Sequence, residues 1–132
     1  MTETSSARAS GASCASLELT VHLVDEPSAK RYPLDETVTA ILDFAQRIKK
    51  CPTHLGVNYV LDTVMEAIEQ DTPLASCMNA SVHRKGDAFH VLLMVPAYAG
   101  MLSARQCVGL MRALRGIHPL AELDCDPGVI AP

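Results

Sequence analysis

A chain of 132 residues is long enough for one hydrophobic core and too short for two, and 48% hydrophobic against 20% charged residues is an ordinary globular balance. The formal charge of −4, from 11 Lys and Arg against 15 Asp and Glu, offers no basic footprint for phosphates, and aromatics at 4% with no Trp leave few platforms for base stacking. That argues against nucleic acid as a main partner. Apolar runs such as Val91 to Ala99 fall far below the roughly 18 residues of a membrane span, so no membrane role is expected either.

Residues 1–16, MTETSSARASGASCAS, are small and polar with no hydrophobic period, and a disordered tail is expected there. A single α+β domain is expected over 17–126 and a frayed C-terminus over 127–132. The five cysteines (Cys14, Cys51, Cys77, Cys107, Cys125) are odd in number and form no C-x-x-C pair. With no signal-type segment beside them, they point to reduced thiols and a cytoplasmic setting.

Leu17 to Val24 alternates, with Leu17, Leu19, Val21 and Leu23 on one side and Glu18, Thr20 and His22 on the other, which predicts a half-buried strand. Lys30 to Leu34 reads as an optional short return strand, confined to an edge by Pro33. Asp35 is placed to cap a helix through Val38, Ile41, Leu42, Ala45 and Ile48, ending at Lys49-Lys50, where the negative dipole end favours cations. The same 3.6 period resumes after Cys51-Pro52 at Val57, Val60, Leu61, Val64, Ala67 and Ile68, and predicts a second helix.

Ala80 to Val95, ASVHRKGDAFHVLLMV, holds two β-prone runs joined at Gly86-Asp87. A two-residue loop there makes paired positions sum to 173 and sets His83 across from His90. Ser103-Ala104-Arg105-Gln106 is a capping box for a third helix through Leu110, Met111 and Leu114 to Gly116, read as the terminating glycine. Leu120 to Asp124 is a last short strand. Without the weak return strand, the order is βαββαβ with the first helix doubled. It resembles the split-βαβ order of ferredoxin-like domains, which implies a two-layer antiparallel sheet with three helices on one face. The alternative, ββααββα, keeps the return strand.

With the aliphatic side of the sheet turned to the helices, His22, His83 and His90 fall on the reverse face. Imidazoles on adjacent strands suit zinc, copper or nickel, so these three are the candidate ligands of a divalent metal, without a short metal motif to back them. Leu92 and Met94 share that face with Ala88 and form an apolar patch that invites a protein partner or a homodimer. A second candidate is Cys51 with His54 as its base. If Pro52 opened the second helix, the Cys51 sulfur would lie near amide donors and two lysines, all favouring thiolate. Phosphate loops and hydrolase motifs are absent from the sequence. The expected function is therefore a small non-enzymatic binding or assembly module, an adaptor working through its exposed sheet face. The alternative is a small thiol- or metal-dependent enzyme that uses Cys51 and His54 or the histidine face.

Overall fold

The computed structural model describes residues 16–69 and 71–132; apart from Ser16, the expected tail lies outside the described residues. The elements are β1 (Ser16–Asp25), α1 (Leu34–Lys49), α2 (Val57–Ile68), a 3-10 turn (Pro73–Cys77), β2 (Asn79–Lys85), β3 (Ala88–Ala97), α3 (Ala104–Ile117), β4 (Glu122–Cys125) and a second 3-10 turn (Pro127–Val129). No helix among the described residues is long and apolar enough to cross a membrane.

The four strands lie in the order β2-β3-β1-β4, with β1 parallel to both β3 and β4 and only the β2-β3 hairpin antiparallel. The expected antiparallel sheet is thus corrected to a mixed one in an α+β chain with three helices. The cause is the doubled helix. One helix would carry the chain back to the start of β1 and make β2 run parallel to it. Two helices return it to the end where β1 finishes, so β2 runs opposite to β1 and β3 parallel to it. The alternative ββααββα order fails too, because Lys30 to Pro33 is irregular and Leu34 already opens α1. Pro33, not Asp35, occupies the helix boundary, and Asp35 sits in the first turn, its carboxylate accepting from the Glu36 amide at 3.0 Å.

The core follows from alternation. Leu19, Val21 and Leu23 of β1 and Phe89, Val91, Leu93 and Val95 of β3 are at most 1% exposed. Against them pack Ile41, Phe44, Ala45 and Ile48 of α1, Val60 and Val64 of α2, and Leu110 and Leu114 of α3. Gly86 takes a positive φ of 58° in the hairpin turn, a conformation glycine reaches at no steric cost. The Ser103/Gln106 capping box is formed, with the Ser103 hydroxyl accepting from the Gln106 amide at 3.2 Å and the Gln106 side chain accepting from the Ser103 amide at 2.9 Å. Gly116 lies within α3 instead of terminating it, and His118 follows as the cap. Buried His118 donates through Nε2–H to the Ala45 carbonyl at 2.9 Å, joining the end of α3 to α1.

The C-terminal segment, expected to fray from Pro127, packs instead. Val129 is fully buried, and the Leu102 amide donates to its carbonyl at 3.1 Å. Ile130 forms a parallel bridge with Leu102. Apolar burial and backbone pairing together hold what composition alone suggested would be loose.

Candidate functional site

Strand parity puts the remaining side chains of each strand on the reverse face of the sheet, and the register arranges them in rows. One row runs His83, His90, Glu18 across β2, β3 and β1. The next runs Ser81, Leu92, Thr20, Glu122 and reaches β4; the third runs Asn79, Met94, His22, Asp124. The predicted hairpin register is the observed one, and His83 stands directly across from His90.

The structure brings His83 and His90 together and leaves His22 apart. Four residues of β1 separate the Glu18 row from the His22 row, about 13 Å at the usual strand rise. His22 Nε2 is instead hydrogen-bonded to Asp126 Oδ1 at 2.8 Å, and Asp126 Oδ2 accepts from the Asp25 amide at 3.0 Å. The His22 hydrogen bond, then that backbone amide, hold the Asp126 carboxyl below its ordinary range against a smaller opposing effect of burial. His90 Nε2 is hydrogen-bonded to Thr20 Oγ1 at 2.9 Å, while its buried Nδ1 has no hydrogen-bond partner and lies 3.6 Å from Glu18 Oε1. Among the described residues no group of three or more His, Cys, Asp or Glu side chains is placed to hold a metal ion.

Between these polar pairs lies the apolar patch. Met94 is 39% exposed and Leu92 half-buried on the central strand β3, flanked by half-buried Val24 and Pro96. Ala88, the third residue expected in the patch, is only 8% exposed and contributes little surface. The charges on the face are sorted by strand. Exposed Lys85 and His83 stand on edge strand β2, and exposed Glu122 and Asp124 on the opposite edge β4. The two edges are therefore basic and acidic, and the middle sets Leu92 and Met94 of β3 beside Glu18, Thr20 and His22 of β1.

Cys51 and His54 lie elsewhere, in the link between α1 and α2. α2 starts at Val57 with Gly56 at its boundary, so its free amides are not at Pro52 as expected. The Cys51 thiol donates to the Pro52 carbonyl at 3.7 Å and packs half-buried against the core, while His54 is exposed. Clefts of about 400 and 470 Å³ adjoin the N-terminal half of α1 and the first 3-10 turn, and neither is lined by Cys51, His54, His22, His83 or His90.

Sequence reasoning missed Asp126, because nothing local in Asp126-Pro127-Gly128 shows that the chain returns beside His22. Glu18 and Thr20 had a usable signal, since parity alone sets them on the histidine face. It also missed a second apolar stripe: Val57, Leu61 and Met65 of α2, spaced by four, are 40–45% exposed. The helical period that marks Val57 and Leu61 as apolar cannot say how much of the arc a neighbour covers. No protein-family model, no curated protein and no solved structure matches this chain.

Proposed function

We propose that this chain is a binding and assembly module without chemistry of its own, working through the reverse face of its sheet, and that the occupant this face fits best is a second copy. The observation that carries the reading is the sorting of that face: Leu92 and Met94 in the middle, Lys85 and His83 along one edge, Glu122 and Asp124 along the other. A two-fold axis lying in the contact plane, parallel to the strands, sets β2 of one copy over β4 of the other and β3 over β1, so the two strips of Leu92 and Met94 flank the axis and each meets Thr20 and His22 of the other copy. Such an isologous contact lays the basic edge of each copy along the acidic edge of the other, twice, with His83 and Glu122 the nearest pair at two residues' distance along the strand and no like charges opposed. Patches of this kind, rimmed by polar residues, mark interaction surfaces more often than isolated exposed leucines do.

Sedimentation equilibrium of three variants tests this. Met94→Arg inserts a charge at an already exposed position, so folding is retained while dimer is lost. His83→Glu sets a carboxylate near Glu122 of the second copy, and Glu122→Lys sets a cation along the basic edge of the second copy; each weakens self-association. An equimolar mixture of the two restores it, because in the mixed dimer the introduced carboxylate lies beside the introduced lysine at one contact and the native His83 and Glu122 meet at the other. A dimer that survives Met94→Arg but is lost in Leu61→Glu would move the interface to α2 and overturn the reading.

A further inference from the structure

The two cysteines of α3 and β4 stand outside the sheet face and belong to no part of the proposed interface. Cys107 precedes Leu110 by three residues and Leu114 by seven, so it lies on the stripe of α3 that packs on the sheet. Cys125 pairs in register with Leu23, a core-facing position of β1, so its side chain leaves the sheet on the helical side. The chain doubles back between α3 and β4, where the Ala121 amide donates to the His118 carbonyl at 2.9 Å. From that bend Cys107 is about 15 Å back along the helix from Ile117. Cys125 is about 13 Å forward along the strand from Ala121. Both therefore arrive at the same end of the same layer, half-buried and free, with their thiols close enough to interact.

We propose that Cys107 and Cys125 form a reversible intramolecular disulfide that staples α3 to the short edge strand β4. The oxidant is a small disulfide of the glutathione class. The Cys107 thiolate attacks it, one S–S bond breaks, and one small thiol leaves, with a mixed disulfide formed on Cys107. Cys125 then gives its proton to solvent and attacks the Cys107 sulfur, forming the protein disulfide and expelling the second small thiol. The protein dithiol loses two electrons and two protons, and the oxidant is reduced to two thiols. Cys107 acts first because the Cys125 thiol is pushed up to about 12 by burial, by Cys107 itself and by the flanking carboxylates of Asp124 and Asp126. Once Cys107 is in the mixed disulfide it no longer carries charge, and its share of that effect disappears.

The test is to incubate the full chain with oxidised glutathione, alkylate free thiols, digest with trypsin and weigh the peptides. The expected product joins Gln106–Arg112 to Gly116–Pro132 at two hydrogens below their summed mass, and dithiothreitol reverses it. Cys125→Ser should leave glutathione trapped on Cys107, whereas Cys107→Ser should leave Cys125 unmodified. The oxidised wild-type chain should also melt at a higher temperature than the reduced one, because the closed loop constrains the unfolded chain. Alkylated Cys107 and Cys125 after a treatment that oxidises Cys51 or Cys77 would overturn the proposal. So would glutathione carried separately on both.

Discussion

At the scale of single residues, the tightest polar knot on the reverse face is Asp126, which receives His22 on one oxygen and the Asp25 amide on the other. It ties the C-terminal turn to β1 across a sequence separation of 104 residues. Because its folded-state pKa is lowered, its contribution to stability is fully present above the ordinary carboxylate value of 3.8 and is lost as pH falls through the folded value. Asp126→Asn should therefore be less stable than wild type at neutral pH, with the gap closing as the solution is acidified through that window. Urea unfolding across the acid range reads this directly, and a gap independent of pH would contradict it. Gly128 lies close beside the knot, against the side chain of Asp25. A Cβ there would run into the Asp25 carboxylate, so Gly128→Ala must displace Asp25.

At the scale of elements, most of the fold was legible because each element carries a local pattern. Strict alternation in Leu17 to Val24 gives β1 and both of its faces, and the Gly86-Asp87 loop gives the hairpin register to the residue. The capping box sets the start of α3, and Ser103→Ala should cost about 1 kcal/mol by leaving the Gln106 amide without its partner. Phe44→Ala, which empties a fully buried position of α1 facing the sheet, should cost about 3–5 kcal/mol. Thermal or urea unfolding of the two variants should rank them in that order. What local pattern could not carry was the start of α2. A proline after a cysteine suits a first helical turn, yet the chain spends 51–56 on a turn before the helix begins, so the helix amides expected beside Cys51 lie at Val57 instead. Asp126 was illegible for a related reason: its partner is set by where the whole chain returns, which no short window of sequence contains.

At the scale of the whole molecule, one additional helix decides the direction of half the sheet. Two helices between β1 and β2 invert the hairpin relative to a single crossover, and a mixed sheet results where an antiparallel one was expected. The element order was legible and the strand directions followed from it, but only by counting helices as reversals of the chain. The same arrangement leaves β2 and β4 as the outer strands, so Lys85 and His83 end up on one edge of the reverse face and Glu122 and Asp124 on the other, with Leu92 and Met94 on an inner strand between them. Self-assembly through that face is the central claim, and the mass of the chain in solution tests it most directly. Sedimentation equilibrium at tens of micromolar should give about twice 14.2 kDa for the wild-type chain and 14.2 kDa for Met94→Arg; a wild-type mass of 14.2 kDa, or a Met94→Arg mass unchanged from a wild-type dimer, would contradict it.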